Sequence, residues 1–256
     1  MHLLRLRYVC RKKSLKNLDG RLIGRPFFMK FDIITIFPDL FKGFLSESLL
    51  ARAQKKKLIS IKTHNLRRWT TDNHKTVDGR PYGGGAGMIL KIEPIYKAVK
   101  SLKSKIVNRK SRVILLSAKG KTFTQKDARR LLKYDQLIFI CGRYEGVDER
   151  VVKYVADEEI SIGNYVLFGG EVASMVVIEA VSRLIPGVIQ KEESIINESF
   201  SDKEASEKEY PQYTRPEVFH PAKKLKANKL ISWKVPDVLL SGDHKKIKEW
   251  REKNSK

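Results

Sequence analysis

Three short glycine-rich loops are the parts of this sequence best suited to binding a small ligand. They cover residues 83–87, 141–146 and 162–170. Glycine permits a left-handed backbone and lets backbone N–H and C=O groups approach a ligand closely. Ordinary turn chemistry is the alternative for any one of them. Because the loops follow predicted strands, and open α/β sheets bind ligands at the carboxyl ends of their strands, they favour a site for a nucleoside without phosphates.

Two phosphate-binding motifs are excluded directly. The loop from Pro81 to Met88 lacks the third glycine of a dinucleotide-binding GxGxxG, since Met88 stands in its place. The string Gly120-Lys121-Thr122 ends like a P-loop, but Leu115 occupies the position of the opening glycine. Neither a Rossmann dinucleotide site nor a P-loop ATPase site is predicted.

The elements that position these loops alternate between strands and helices. Apolar patterning predicts strands over residues 31–37, 58–65, 112–117 and 136–141. A helical stretch begins at Pro38, and further helices are predicted over 93–106, 124–133, 146–155, 171–184 and 241–253. Strands interleaved with helices indicate an α/β fold with a parallel sheet.

Composition limits the class of protein and of partner. The 256 residues contain 52 Lys and Arg against 29 Asp and Glu, a net charge of +23. Such a surplus indicates a polyanionic partner, with general solubility as the alternative. The two cysteines, Cys10 and Cys141, provide no disulfide framework, and no apolar run is long enough to span a membrane. We expect a cytoplasmic protein with no membrane partner.

Uneven charge divides the chain into segments. Residues 1–28 carry eight basic residues against Asp19, a local charge of +7, and are expected to be a basic extension that is disordered or not native. Residues 190–210 carry seven acidic residues and three lysines, and are predicted to be an acidic flexible linker. The predicted domains are therefore 29–189, which contains the sheet, and 211–256, which ends in a basic helix.

Six motifs in one order carry a resemblance to a known family. They are TVDGRPYGGGAGM (76–88), CGRYEGVDER (141–150), SIGNYVL with GGE (161–171), RLIPG (183–187), YTRPEV (213–218) and PDVLLSG (236–242). Together they closely resemble the bacterial tRNA (guanine-N1)-methyltransferases, the TrmD family of the SPOUT superfamily. The resemblance runs from Met29 to about Trp250.

The resemblance implies a parallel α/β domain with a C-terminal trefoil knot, joined by a flexible linker to a small C-terminal helical domain that binds tRNA. It also implies a homodimer and S-adenosylmethionine as the methyl donor, bound in the knot loops. The cofactor-binding residues that it implies are Leu115, Leu116, Ser117, Gly142, Glu145, Gly146, Ile162, Gly163, Asn164, Tyr165, Val166, Leu167, Gly169, Gly170 and Gly87. Among these, Glu145 has an alternative role as a carboxylate near the start of a helix.

The implied reaction methylates N1 of guanosine 37 of tRNA, next to the anticodon, when guanosine 36 precedes it. A base must remove the N1 proton while a cation stabilises negative charge at O6. At the position of Arg183 the family also has an Arg. At the position of Glu198 it has an Asp, so Glu198 is the main departure from the family pattern. Each residue also has a non-catalytic explanation. Arg183 could form a surface ion pair with Glu179, and Glu198 could be one of seven solvated acids in the linker.

Substrate contacts are predicted at Asp78, Arg67, Lys245 and Arg251. Asp78 contacts the guanine or else caps a turn, and the three cations contact phosphates with little sequence information. Family members need Mg²⁺, although the spacing of His74, His220 and His244 indicates no metal ligands. An extra basic stretch around residues 220–231 is a second departure from the family pattern.

Two other functions compete with this one. A noncatalytic basic RNA-binding protein explains the charge but leaves the three glycine-rich loops unexplained. A ribose 2′-O-methyltransferase of the same superfamily would share the knot, but the long linker and the YTRPEV motif belong to the guanine-N1 pattern.

Overall fold

A computed structural model describes residues 28–103, 110–189, 210–221 and 231–255. The chain divides into two compact units, the first ending at Gln190 and the second beginning at Lys191. The basic extension, the acidic linker, Glu198 and most of the extra basic stretch lie outside the described residues. No helix in the described ranges is long and apolar enough to cross a membrane.

The first unit alternates strands with helices, as predicted. Its strands are β1 (Met29–Thr35), β2 (Ile59–Asn65), β3 (Asp78–Gly79), β4 (Ile89–Leu90), β5 (Ser111–Thr122), β6 (Gln136–Cys141) and β7 (Glu158–Ser161). Its α-helices are α1 (Lys42–Ser46), α2 (Ser48–Lys55), α3 (Ile92–Leu102), α4 (Gln125–Leu131), α5 (Glu149–Tyr154) and α6 (Gly170–Ser182), with 3-10 turns at Pro38–Phe41 and Leu66–Trp69.

The main sheet has the strand order β2-β1-β6-β5-β7, and every neighbouring pair is parallel. Side chains of the central strands alternate between two apolar layers. Leu137 and Phe139 of β6 face the layer that contains α6, while Ile138 and Ile140 face the layer that contains α3. Because both faces are covered, the central strands are continuously apolar. The predicted α/β class with a parallel sheet is confirmed.

Several element boundaries differ from those predicted. The helical stretch after Pro38 is split at Glu47, whose backbone is extended (φ −114°, ψ 164°). Helix α5 begins at Glu149 and not at Gly146, because Gly146 has a φ of +122° and Asp148 caps the helix through the Arg150 N–H. Strand β5 continues to Thr122, five residues past its predicted end.

The end of β5 forms an irregular crossing with β7. Leu116 pairs with Ile160, and after a register shift Lys121 pairs with the same Ile160. Gly120 lies so close to β7 that a Cβ there would be 2.6 Å from the Ile160 nitrogen. The residues between Leu116 and Lys121 are therefore an irregular part of β5, after which the strand pairs again with the same residue of β7.

The described part of the second unit contains two short strands and two helices. Strands β8 (Val218–Phe219) and β9 (Trp233–Lys234) pair antiparallel. Helix α7 (Asp237–Leu240) precedes α8 (His244–Asn254). The Asp243 carboxylate caps α8 by accepting from the N–H groups of Lys245 and Lys246, as an aspartate N-cap is expected to do.

Candidate active site

A cavity of about 230 Å³ lies beside residues 115–119 of β5 and at the carboxyl ends of β6 and β7. The loops that follow β6 and β7 converge on it, at the sheet edge where parallel α/β proteins bind ligands. Its lining consists of residues 115–119, 142–147, Glu149, Val152, 159–163, 165–170 and Ala173. Two of the three glycine-rich loops singled out from the sequence therefore form one cavity.

Nearly all the predicted cofactor-binding residues line this cavity. The two exceptions are Asn164 and Gly87. Gly87 nevertheless lies against the cavity loop, because a Cβ there would be 2.5 Å from Cγ of Glu145. The Glu145 N–H also donates to the Met88 carbonyl at 3.1 Å. The remaining glycine-rich loop, residues 83–87, thus contacts a cavity residue but does not itself line the cavity.

One glycine at the rim is required by a close approach of two chain segments. The Gly170 N–H donates to the Gly142 carbonyl at 2.9 Å. A Cβ at Gly170 would lie 2.8 Å from Cα of Cys141 and 3.0 Å from Cβ of Leu116. Helix α6 can therefore start directly against Leu116 of β5 and the end of β6 only because this residue has no side chain.

A buried ionic network braces the cavity, and the sequence assigned its members no role. The Arg143 Nε donates to Glu171 Oε2 at 2.9 Å, and the Thr35 hydroxyl donates to Glu171 Oε1 at 2.7 Å. Glu171 is 1% exposed. Arg143 also bridges to Gly169 through the backbone, and its guanidinium lies 4.7 Å from the ring centre of Phe37.

This network joins the end of β1, the loop after β6 and the first turn of α6. Arg143 and Glu171 lie within the motifs of the resemblance, but Glu145 in the same loop is an equally available partner for Arg143, so no local pattern indicates their pairing. A buried carboxylate requires such partners, because an unpaired charge is costly to remove from water.

The cavity is lined by neutral groups, by carboxylates and by two basic residues, Lys119 and Arg143. The side chains of Glu145, Glu149 and Glu159 line it, as do the apolar side chains of Leu115 and Ile162. This combination suits a ligand with a flat apolar part and a positive charge.

Cys141, at the end of β6, is not suited to nucleophilic chemistry. Its side chain is buried, and its thiol lies 3.8 Å from the Ser174 hydroxyl. Burial raises the pKa of the Cys141 thiol far above its ordinary value, with the Glu171 carboxylate acting in the same direction. The neutral thiol therefore acts as a small packed side chain.

The other predicted site residues that the structure describes are not among the residues that line the cavity. Arg183 follows the last turn of α6, and its N–H donates to the Glu179 carbonyl. Asp78 pairs with Leu90 between β3 and β4, and Arg67 Nη1 donates to the Lys75 carbonyl at 2.9 Å. Lys245 and Arg251 belong to α8 of the second unit. Within the described ranges, no group of three or more His, Cys, Asp or Glu residues could hold a metal ion.

Comparisons with known proteins identify the family of the chain. The family described as tRNA (Guanine-1)-methyltransferase TrmD matches residues 29–256. A tRNA (guanine-N(1)-)-methyltransferase of Carboxydothermus hydrogenoformans is 51% identical over 227 residues, which cover 89% of this chain and 83% of that protein. The protein of the same name from Dictyoglomus turgidum is 51% identical and that from Bacillus cereus 48%, each over 89% of this chain and over 85% and 87% of the respective relative. The resemblance is therefore confirmed, and the chain belongs to the tRNA (guanine-N1)-methyltransferase family.

Proposed function

We propose that this protein transfers a methyl group from S-adenosylmethionine to N1 of guanosine 37 in tRNA, in the cytoplasm. The observation that carries the proposal is the cavity beside β5 and at the ends of β6 and β7, lined by nearly every residue at which the family resemblance implies cofactor binding. Family membership gives the reaction class, and the cavity supports a site for that reaction in the first unit.

The chemistry of the cavity fits S-adenosylmethionine. The glycines Gly142 and Gly170 leave space for the ligand, the apolar side chains of Leu115 and Ile162 would hold the adenosine part, and the Glu145 carboxylate suits a ligand ammonium or sulfonium. When bound, this cofactor supplies an electrophilic methyl group on sulfur. The residues of the chain would bind it and orient it.

In the proposed reaction Glu198 and Arg183 act on the guanine. The Glu198 carboxylate takes the N1 proton, and the Arg183 guanidinium stabilises the negative charge that develops at O6. The bond from N1 to the methyl carbon forms as the bond from that carbon to sulfur breaks. Mg²⁺, which the family implies, has no cluster of three His, Cys, Asp or Glu ligands in the described ranges, and we assign it no residue.

The trefoil knot is part of this proposal. Its support is the return of β5 to Ile160 after a register shift, together with the start of α6 at Gly170 against Leu116 of β5 and the end of β6. Such a path brings residues 115–119 of β5 and the loops after β6 and β7 around one cavity. Chain connections are otherwise almost never threaded, so a knot here would be tied to the site that it forms.

A homodimer is also proposed. Phe168 is 94% exposed and Val166 is 87% exposed, although both line the cavity. Val172 and Val176, about one helical turn apart on α6, are also exposed. Exposed apolar side chains at a functional site are typical of a protein interface, and we propose that a second copy of the chain covers these four.

The domain arrangement proposed for tRNA follows the sequence boundaries. Residues 29–189 carry the cavity, 190–210 act as the linker that contains Glu198, and 211–256 form a small helical domain that binds tRNA. Arg67 in the first domain and Lys245 and Arg251 in the second would contact phosphates, with Asp78 at the guanine. The basic residues of α8 support this assignment.

The test is product analysis on the full chain. The protein is incubated with S-adenosylmethionine, Mg²⁺ and an unmodified tRNA transcript, and the tRNA is digested to nucleosides for mass spectrometry. We expect 1-methylguanosine as the new nucleoside. A 2′-O-methylated nucleoside, or no methylated nucleoside from a protein that binds both substrates, would contradict the proposal.

A further inference from the structure

A second cavity lies wholly within the C-terminal unit and takes no part in the chemistry described above. Its volume is about 580 Å³. It is lined by residues 210–215, Glu217, Val235, Leu239, Leu240, Ile247, Trp250 and Arg251. These residues include most of the YTRPEV motif, to which the reaction chemistry gives no role.

Aromatic side chains form much of its wall. The rings of Tyr213 and Trp250 meet edge to face, with centres 6.2 Å apart. The Arg251 guanidinium lies 4.8 Å from the ring centre of Tyr210. Tyr213 is 49% exposed, so an aromatic ring stays accessible beside an apolar floor of leucine and isoleucine. Accessible aromatic rings next to arginine are the usual platform for an unpaired nucleobase.

The charges around the cavity also suit a nucleotide. Within the described ranges, neither Arg215 nor Glu217 has a side-chain hydrogen bond or ion pair. A guanidinium binds a phosphate through two parallel N–H groups, and a carboxylate accepts from the N–H edge of a base. Lys245 and Lys248 lie on the same helix as Trp250 and extend the positive charge beyond the cavity.

We propose that this cavity binds one unstacked nucleotide of the tRNA substrate, with its base against Tyr213 or Trp250 and its phosphate on Arg215 or Arg251. The proposal rests on the proposed function for its RNA partner. It assigns the C-terminal unit a base-binding site in addition to general attraction to phosphates. An RNA nucleotide is favoured over a free nucleotide because the lysines of α8 continue the positive surface past the space that one nucleotide would fill.

The test compares three variants of the full chain. Trp250→Leu removes the ring, Trp250→Phe keeps an aromatic face, and Trp233→Leu changes a 62% exposed tryptophan of the same unit outside the cavity. We expect Trp250→Leu to raise the Kd for an unmodified tRNA transcript by about 5- to 150-fold, the usual cost of losing one base–aromatic stack. Trp250→Phe and Trp233→Leu should stay close to wild type, and calorimetry should give an unchanged Kd for S-adenosylmethionine.

A scan with abasic nucleotides separates base binding from a structural role of Trp250. Anticodon stem-loops that lack one base at a time are titrated with wild type and with Trp250→Leu. We expect the loss of one particular base to weaken binding of the stem-loop to wild type but not to Trp250→Leu. Equal abasic losses in both proteins, unchanged tRNA affinity of Trp250→Leu, or a free mononucleotide that binds the wild type and leaves tRNA affinity untouched would each overturn the proposal. Binding is measured without turnover, so a failure of the methyl-transfer assay is distinguishable from a failure here.

Discussion

At the scale of single residues, the proposed active site depends on two glutamates that have different roles. Glu171 is fixed inside the protein by Arg143 and Thr35. Glu198 lies in the acidic segment outside the described residues. The first residue is suited to positioning the cavity loops, and the second is proposed to take a proton from the substrate.

Replacing the buried carboxylate should loosen the cavity. In Glu171→Gln the Arg143 guanidinium loses its charged partner, which costs about 3 kcal/mol of folding stability when a buried pair is broken. A loosened loop should also raise the Kd for S-adenosylmethionine roughly ten-fold, equivalent to about 1.4 kcal/mol. Urea unfolding and calorimetry measure the two effects. Glu93→Gln, in an exposed pair with Lys97 on α3, is the matched control and should change neither. Wild-type affinity in Glu171→Gln would show that the network does not position the cavity.

Replacing the proposed base should separate binding from turnover. Glu198→Gln retains the size of the side chain but cannot accept the N1 proton, and we expect single-turnover methylation to fall by about 10²-fold or more. Affinity for S-adenosylmethionine should remain unchanged, because the cofactor cavity belongs to the first unit. Glu207→Gln, another acid of the same segment, serves as the control. A variant that retains methylation would remove Glu198 from the mechanism.

At the scale of elements, the central strands were the most predictable part of the fold. Strand β6 runs over Gln136–Cys141 as predicted, because a continuous apolar run bounded by polar residues marks a strand covered on both faces. Strand β7 carries Glu158 and Glu159, and the last residues of β5 are polar, so no apolar pattern marks either segment. Their pairing depends on backbone hydrogen bonds and on Gly120, which sequence periodicity does not detect.

The same limit applies to the candidate site. Glycine-rich loops after strands predicted that several segments would meet at one sheet edge, and they do. The pairing of Arg143 with Glu171 joins residues that belong to no common helix or strand. It follows from the path of the chain between β6 and α6, and not from any local pattern.

The sheet also contains a buried acid whose ionisation affects stability. Asp32 of β1 is fully buried and accepts hydrogen bonds from Gln136 at 2.6 Å and from His64 and Lys30 at 2.8 Å each. Burial alone would raise the pKa of Asp32, but the hydrogen bonds from His64, Lys30 and Gln136 together outweigh it and lower the pKa below its ordinary value of 3.8. A carboxyl with a lowered pKa stabilises the folded state above its ordinary pKa, and this stabilisation is lost as the pH falls through the lowered value.

We therefore expect Asp32→Asn to lose about 3 kcal/mol of unfolding free energy at pH 7, because three donors lose a buried anion. The difference from wild type should shrink as the pH falls below about 4. Urea unfolding between pH 7 and pH 3 measures it. Asp39→Asn, in an exposed pair with Lys42, should differ little from wild type across this range. A difference between Asp32→Asn and wild type that does not depend on pH would contradict this account.

At the scale of the whole molecule, assembly and substrate binding should be linked. Val166 and Phe168 are exposed and line the cavity, so a second copy that covers them would also close the site. The proposed interface includes the exposed Val172 and Val176 of α6 as well. Val176→Glu should place an uncompensated charge in this interface. We expect sedimentation to show a shift from dimer to monomer, with methylation reduced about ten-fold or more. Tyr96→Glu, a 50% exposed position on α3, is the control. A wild type that sediments as a monomer would contradict the homodimer.

The most direct test of the central claim uses two tRNA transcripts that differ only at position 37. Both have guanosine at position 36, and position 37 is guanosine in one and adenosine in the other. Labelled S-adenosylmethionine and Mg²⁺ are supplied, and the methylated position is mapped. We predict methyl incorporation only into the guanosine transcript, at base N1. No incorporation despite binding of both substrates, or equal methylation of the adenosine transcript, would contradict the account.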